Sequence, residues 1–342
     1  SVAAIEGARE PAEAARAAHA LKSMSFNIGA RAVAALTAHI ELAARESGVV
    51  DKDAIAQIRP LMDKTLAALG DPAPATSVAE LARAAAEREE DALLDDLRVA
   101  AERGELDLAY QPQVSREGTI IGCEALARWT HPTRGLVSPA VFIPLAERRG
   151  AITPLTFWAL ERALSDTADL AGVTVAVNAS ALDFNEPGFV EKVAELIEKR
   201  RFDPHRLEIE ITETAILQGV DEVRRSIDQL HAIGVKVALD DFGVGYSSLS
   251  HLRLFDFDKL KIDKLFIDSC SGDVEAAAVV HGVVGIGRAL GMKVIAEGVE
   301  TDDQRQFLKI AGVHAFQGYL FGRPMPIEAL REQLRAAATA AA

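Results

Sequence analysis

The sequence predicts an all-α helical bundle followed by an α/β barrel of the (β/α)8, TIM-like type. Residues 1 to about 104 are dominated by Ala, Leu, Glu and Arg and contain almost no strand-like pattern, which favours helices. From Leu106 onward, short β-rich runs alternate with helical runs in six or more units. This alternation favours a closed barrel over a doubly wound sheet. No glycine-rich nucleotide-binding fingerprint supports the open-sheet alternative.

The helical region divides into a bundle over residues 1–75 and a linker helix over residues 76–104. Gly29, Gly48 and the run from Gly70 to Pro74 interrupt it, and glycine and proline are the residues that most often end helices. The predicted helices are Pro11 to Ile28, Arg31 to Glu46, Asp51 to Leu69 and Val78 to Arg103.

The barrel is predicted over residues 105–342. Its strands are expected in the runs LDLAYQPQV, TIIGCEALARW, VTVAVNAS, RLEIEIT, VKVALDD, KLKID, KVIAEGV and HAFQG. Helices are expected around Pro154 to Ala171, Pro187 to Arg200, Thr214 to Ala232, Val274 to Leu290 and Asp302 to Ile310. We interpret Trp129 and Trp158 as packing residues of this domain.

The composition argues against several classes of protein. The 342 residues include 51 acidic and 37 basic side chains, a net charge of -14. Proteins that bind the nucleic-acid backbone are normally basic, so we expect no DNA partner. Cys123 and Cys270 show no spacing typical of zinc ligands or of a disulfide framework. No apolar run approaches the ~20 residues of a membrane span, and no signal sequence opens the chain, so we expect a cytoplasmic protein.

Polar residues follow or end successive predicted strands, and most of them lie on the parity that the apolar residues leave open. They are Glu124, Asn178, Glu208, Glu210, Asp240, Asp241, Lys261, Asp263 and Glu297. In a barrel this parity faces the interior, so these side chains should converge at one mouth. Any one of them alone reads as a solvated cap, but independent caps have no reason to share an inner parity. Such a ring of carboxylates repels itself unless cations are bound, and oxygen ligands without His or Cys suit Mg²⁺ or Mn²⁺.

Motifs along the second region resemble the EAL domain of cyclic di-GMP phosphodiesterases. They are EALARW from Glu124, preceded by QP at Gln111 and followed by FIPLAE, then VNAS from Val177, EITE from Glu210, DDFGVGYSSL from Asp240, KLKID from Lys259, AEGVET from Ala296 and QGYLFGRPMP from Gln317. The resemblance covers residues 106 to 335, with every motif in the order of the family.

The resemblance implies hydrolysis of cyclic di-GMP to the linear dinucleotide pGpG with the help of two metal ions. Glu124, Asn178, Glu210 and Asp240 match the ligands of one ion, and Asp240, Asp241 and Asp263 match those of the second. Lys261 would hold the attacking water, and Glu297 would be the general base. A base of this kind works only within reach of that water.

Further positions match the family in supporting roles. Gln111, Leu126 and Arg128 correspond to residues that contact the nucleotide. Glu213 corresponds to the glutamate that holds the DFGVGYSSL loop, and Glu300 and Gln317 correspond to residues that support waters around the metals. Gly243 and Gly245 permit the unusual backbone angles that this loop requires.

An alternative function is a receptor that binds cyclic di-GMP without cleaving it. Degenerate members of the family lack an acidic ligand or the base, and this sequence retains all of the matched positions. An intact set of carboxylates costs electrostatic repulsion unless metals are bound. This favours the enzyme.

The amino-terminal region resembles a histidine phosphotransfer (HPt) domain around His19. His19 is followed by Leu21, Lys22 and Ser23 in the order of the phosphorylatable helix, and the Lys22 ammonium would offset phosphate charge on His19. The implied partner is a response-regulator receiver or a histidine kinase. The alternative is an exposed His19 in a bundle that spaces the barrel or pairs two protomers as a homodimer.

Overall fold

The computed structural model describes residues 2–6, 8, 10, 12–15, 17–18, 21, 31–46, 50–68, 78–213, 219–243, 252–270 and 272–341. The chain forms two compact units, residues 1–96 and 97–342. The boundary between them lies inside the helix Val78–Ala100.

The described part of the first unit is helical. Its helices are Val2–Glu6, Arg31–Glu46, Lys52–Ala68 and the first part of Val78–Ala100, and residues 12–15, 17–18 and 21 are also helical. Ile5, Leu21, Ile40 and Ile58 belong to one buried apolar cluster. The candidate phosphoacceptor His19 lies outside the described residues, so the HPt relation stays a prediction.

The second unit contains a closed barrel of eight strands, as the sequence predicts. The strands are β1 (Leu106–Ser115), β2 (Ile120–His131), β3 (Gly135–Val137), β4 (Thr174–Ala179), β5 (Leu207–Thr212), β6 (Lys236–Phe242), β7 (Lys259–Ile262), β8 (Lys293–Ala296) and β9 (Ala315–Gln317). Their order is β1, β9, β8, β7, β6, β5, β4, β2, and pairing of β2 with β1 closes the barrel. The short β3 forms a hairpin with β2 and lies outside the closed ring.

Strand β1 runs antiparallel to both of its neighbours, which the alternating pattern does not predict. It pairs antiparallel with β2 and with β9, whereas the strands from β2 through β4 to β9 pair in parallel. The reason is the short connection between β1 and β2, which consists of residues 116–119 alone. A parallel pair needs a crossover of roughly a dozen residues or more.

Helices cover the outside of the barrel. They are Pro139–Arg148, Ile152–Asp166, Ala181–Asn185, Phe189–Arg200, Val220–Ala232, Lys264–Ile267, Val274–Ala289, Asp302–Ala311 and Ile327–Ala341, with a 3-10 turn at Pro204–Arg206. Each of the five predicted barrel helices has a counterpart, although the predicted start at Thr214 lies outside the described residues. Val175, Ile209, Leu239 and Leu260 are fully buried in the main apolar cluster, so the alternate residues of these strands face the interior.

Trp129 is a packing residue, as predicted. Its side chain is fully buried, its ring meets Phe142 edge to face with centroids 5.7 Å apart, and its Nε1 donates a hydrogen bond to Glu105 at 3.0 Å. Trp158 is partly buried against the main apolar cluster. Trp129 therefore fastens β2 to the helix Pro139–Arg148.

We expect Trp129→Ala to lower the free energy of unfolding by about 3–5 kcal/mol, because it removes a fully buried aromatic ring and leaves a cavity. Urea denaturation followed by circular dichroism measures this change. Trp158→Ala is the matched control and should cost clearly less, since that ring is only partly buried. Equal losses for the two variants would contradict the packing role of Trp129.

Candidate active site

Inward side chains of successive strands meet at the carboxyl end of the barrel. They are Glu124 of β2, Asn178 of β4, Glu210 of β5, Asp240 of β6, Lys261 of β7 and Glu297 directly after β8. The apolar residues of these strands point outward to the helices, which leaves the polar ones inside. The fold thus brings together side chains that are far apart in the sequence.

Lys261 lies at the centre of this group and is almost completely buried. Its Nζ lies 2.5 Å from Glu210 Oε2, 2.6 Å from Glu297 Oε1, 3.0 Å from Asp240 Oδ2 and 3.6 Å from Glu124 Oε2. One ammonium therefore faces four carboxylates, and the site has an excess of negative charge.

This excess shifts the protonation of the acids. Burial raises the pKa of Glu210 well above its ordinary value, and the neighbouring carboxylates add to this although Lys261 opposes it. Burial likewise raises the pKa of Glu297 to about 8, against the attraction of Lys261. For Lys261 burial lowers the pKa, but the surrounding carboxylates outweigh burial and raise it well above normal. The lysine is therefore charged, and the acids compete for it.

Two overlapping groups of carboxylates have the geometry to hold metal ions. One oxygen each from Glu124, Glu210 and Asp240 lie within 4.8 Å of one another, and so do oxygens from Asp240, Asp241 and Glu297. Glu210 Oε1 is buried and has no hydrogen-bond partner in the described part of the chain, so it is available to a ligand. Oxygen donors of this kind suit hard divalent cations. The residues present fit such ions.

A bulge in β6 explains how two consecutive aspartates face one site. The pairing of β6 with β7 shifts register before Phe242, so that Asp240 and Asp241 lie opposite the single residue Lys261. Asp241 has a φ of 54°, a left-handed conformation that is uncommon outside glycine. A bulge redirects a side chain that strict alternation would point to the other face. Both carboxylates thereby reach the interior.

Glu213 holds the backbone directly after this bulge. Its Oε2 accepts a hydrogen bond from the Gly243 N–H at 2.9 Å. Gly243 has a φ of 99°, and a Cβ atom there would lie 2.9 Å from the ring of Phe266. Any residue other than glycine would be strained here, both by the positive φ and by contact with the ring of Phe266. Gly245, predicted to have the same freedom, lies outside the described residues.

Asp263 and Glu300 do not contribute to the two carboxylate groups described above. Asp263 caps the short helix Lys264–Ile267, where its side chain accepts a backbone hydrogen bond at 2.8 Å. Its charge nevertheless acts on the site. Burial first, then the charges of Asp240 and Asp263, raise the pKa of Asp241 to about 6. Glu300 lies 2.8 Å from the ammonium of Lys264 on the protein surface.

Glu124 is oriented by two amides. Asn178 Nδ2 donates to Glu124 Oε1 at 2.7 Å, and Gln317 Nε2 donates to Glu124 Oε2 at 2.5 Å. Gln317 Nε2 also donates to Gln111 Oε1 at 3.1 Å. Although burial raises the pKa of Glu124, Lys261 and these amide donors outweigh it and lower the pKa. Glu124 is thus kept ionised.

The predicted nucleotide-contacting residues lie on β1 and β2. Gln111 is buried and faces Glu124 across the β1–β2 pair. Leu126 and Arg128 follow Glu124 at alternate positions of β2 and are partly exposed, so they lie on the same face at increasing height. Burial lowers the pKa of Arg128, against the charge of Glu124. These residues line the approach to the carboxylates.

Three further inward residues form a second layer that the sequence does not predict. Glu208 and Lys259 lie two positions before Glu210 and Lys261 on β5 and β7, and Gln113 lies two positions after Gln111 on the antiparallel strand β1. Their hydrogen bonds form a polar layer beneath the carboxylates. The parity of the sequence places Glu208 with the inward polar residues, but only the strand register shows that the three side chains form one layer.

The comparisons with known proteins agree with this geometry. The model of the EAL domain matches residues 94–324. The chain belongs to the EAL-domain family. This EAL domain is 43% identical over 244 residues to MucR of Pseudomonas aeruginosa, described as a bifunctional diguanylate cyclase/cyclic di-GMP phosphodiesterase, covering 70% of the chain and 36% of MucR. It is 39% identical over 248 residues to the cyclic di-GMP phosphodiesterase NbdA of the same organism, covering 71% of the chain and 32% of NbdA.

A solved structure of the PaMucR phosphodiesterase in complex with cyclic di-GMP superimposes on this EAL domain with a TM-score of 0.66. The two are 42% identical, and the match covers 70% of this chain and 99% of that one. The chain spans only about a third of the length of MucR and NbdA.

Within the described ranges, no helix is both long and apolar enough to cross a bilayer.

We expect the metal-free protein to lose stability as the pH rises from about 4.5 to 8. The folded pKa of Glu297 is about 8 against an ordinary 4.5, so in this window the folded state keeps a proton that the unfolded state has lost. Ionisation of Glu297 in the folded protein then adds charge to a crowded site. Thermal unfolding in EDTA at a series of pH values measures this.

Glu297→Gln is the control for that titration, because it removes the group and should flatten the slope. Added Mn²⁺ should restore stability most at high pH, where more of the acids are ionised. A melting temperature that rises with pH in EDTA to the same extent in both proteins would contradict the assignment.

Proposed function

We propose that this EAL domain hydrolyses cyclic di-GMP to linear pGpG with two divalent cations, Mg²⁺ or Mn²⁺. The observation that supports this best is the pair of overlapping carboxylate groups that share Asp240, beside the buried Lys261 and Glu297. Two-metal hydrolysis of phosphodiesters needs such an acidic site with a bridging carboxylate. The described relatives and the PaMucR complex favour cyclic di-GMP as the substrate.

Glu124, Asn178, Glu210 and Asp240 would hold one cation, and Asp240 with Asp241 the second. Asp263 is the remaining ligand implied by the sequence, and it would have to leave its capping hydrogen bond to reach the ion. Bound divalent cations supply Lewis acidity, which favours ionised water and offsets charge on phosphoryl oxygens.

Glu297 and Lys261 would handle the protons. Water forms a bond to phosphorus, the bond from phosphorus to the ribose 3′ oxygen breaks, and the 5′ phosphate remains on pGpG. With the cations bound, Glu297 would be ionised. It would then take one proton of the water and return that proton to the leaving 3′ oxygen. Lys261, held within 3.0 Å of Glu210, Asp240 and Glu297, keeps these acids close together and orients the water.

Glu213, Gln317 and Glu300 would support this arrangement from outside the carboxylate groups. Glu213 fixes the backbone after Asp241, and Gln317 orients Glu124. Gln111, Leu126 and Arg128 would contact the nucleotide above the metals. The Arg128 guanidinium would offset phosphate charge in a site that is otherwise acidic.

We expect the purified protein to convert cyclic di-GMP to pGpG in Mg²⁺ or Mn²⁺ and to lose this activity in EDTA. Glu297→Gln should lower kcat by about 100-fold or more, the size of effect typical of a general base, with little change in substrate binding. Liquid chromatography of the products and calorimetric titration measure the two quantities. Tight binding without pGpG in either metal, or a Glu297→Gln variant as fast as the parent, would instead indicate the receptor.

For the amino-terminal unit we keep the phosphotransfer proposal, in which His19 accepts a phosphoryl group from a receiver domain or histidine kinase and thereby regulates the barrel of a homodimer. It is supported by the sequence motif alone.

Incubation with a radiolabelled phosphorylated receiver or kinase should label the parent and leave His19→Gln unlabelled. No labelling across several candidate donors would leave the spacer interpretation.

A further inference from the structure

Polar side chains continue through the barrel beneath the active site. Gln113 of β1, Glu208 of β5 and Lys259 of β7 face inward one layer below the carboxylates. The Gln113 and Glu208 residues are 1% and 2% exposed. None of the three has a role in the reaction proposed above. The interior of a barrel of this type is normally filled with branched apolar side chains, so this layer needs a physical explanation.

A continuous series of hydrogen bonds links this layer to Glu124. Lys259 Nζ lies 2.6 Å from Glu208 Oε1 and donates to Gln113 Oε1 at 3.3 Å. Gln113 Nε2 donates to Gln317 Oε1 at 3.1 Å. Gln317 Nε2 in turn donates to Glu124 Oε2 at 2.5 Å. Two successive amide side chains, Gln113 and Gln317, therefore connect a charged pair at the base of the barrel with a predicted metal ligand.

The direction of the hydrogen bonds in this series is fixed at its lower end, where Lys259 lies. An amide side chain has a donor end and an acceptor end, whereas an ammonium can only donate. Lys259 therefore requires the oxygen of Gln113 to point towards it, which turns the Gln113 amino group to Gln317. The oxygen of Gln317 then faces down and its amino group faces Glu124. If both amides were reversed, the Gln317 oxygen would face the Glu124 carboxylate and repel it.

The Gln111 contacts agree with this orientation. Gln111 Nε2 donates to the Gly322 carbonyl at 3.2 Å, which leaves Gln111 Oε1 to accept from Gln317. Gly122 lies opposite Gln113 in the β1–β2 pair. A Cβ atom there would meet the Thr174 side chain first and would lie 3.2 Å from Gln113 Oε1, so the absence of a side chain at Gly122 leaves space beside the Gln113 amide.

We propose that Lys259, held by Glu208, is a positioning residue for the metal site. It sets the amide orientation of Gln113 and Gln317, so that an N–H group faces Glu124 and holds this carboxylate ready to bind a cation. This role rests on the proposed metal-dependent function. It adds to that function a layer whose residues touch neither the substrate nor the ions.

The test is the direct binding of Mn²⁺, followed by electron paramagnetic resonance of the free ion in the absence of substrate. The double variant Glu208→Met with Lys259→Met replaces the buried pair by apolar groups of similar volume, so neither charge is left alone. It should bind Mn²⁺ about 10-fold more weakly than the parent, the size of effect typical of residues that orient metal ligands. Gln113→Met breaks the same series without altering any charge and should show the same loss.

Two further variants separate positioning from a merely structural role. Lys259→Arg keeps a group that can only donate and should retain Mn²⁺ affinity. Glu208 and Lys259 line a cavity below the barrel, and the exposed Lys293 lines it too. Lys293→Met therefore removes a nearby charge outside the series of hydrogen bonds and should behave as the parent. With cyclic di-GMP, the double variant should require more Mn²⁺ for half-maximal kcat, while KM for the substrate at saturating Mn²⁺ is unchanged.

Normal Mn²⁺ affinity in the folded double variant or in Gln113→Met would overturn the proposal. So would an equal loss in Lys293→Met, since this would show a general effect of charge. If the parent itself binds no Mn²⁺, the metal-dependent function fails first, and the positioning role fails with it. The parent measurement therefore distinguishes the two failures.

Discussion

The site depends on one buried ammonium surrounded by more carboxylates than it can neutralise. Lys261 holds Glu210, Asp240 and Glu297 within 3.0 Å, yet the group keeps an excess of negative charge in a region from which water is largely excluded. Such an arrangement is costly unless further positive charge enters. The protein alone can offset it only by retaining protons, which is the physical reason for the raised pKa values of Glu210 and Glu297.

The barrel makes this concentration of charge tolerable because its stability comes from elsewhere. Residues such as Val175, Ile209 and Leu260 are fully buried between the strands and the surrounding helices. This outer layer supplies the apolar burial that folding requires. The interior is therefore free to contain polar side chains, provided that they satisfy one another's hydrogen bonds.

Strand parity made the barrel and most of its inward polar residues predictable from sequence. Glu124, Glu210 and Asp240 fall on the parity opposite to apolar neighbours, and the structure brings them together. Parity alone could not place Asp241, because the β6 bulge and a left-handed backbone redirect it. Nor could it show that Asp263 caps a helix, since that depends on the path of the chain after the strand.

The same limit applies to the lower layer, where parity identifies the residues but not their partners. Replacing a buried ion pair such as Glu208 and Lys259 by apolar residues is often neutral or stabilising, so stability is a weak reason for its presence. Orientation is a stronger one. An apolar pair in its place would remove the group that sets the direction of the Gln113 amide, whereas a largely buried ammonium permits one direction only. The charge beneath the barrel thus determines which end of an amide faces the site above it.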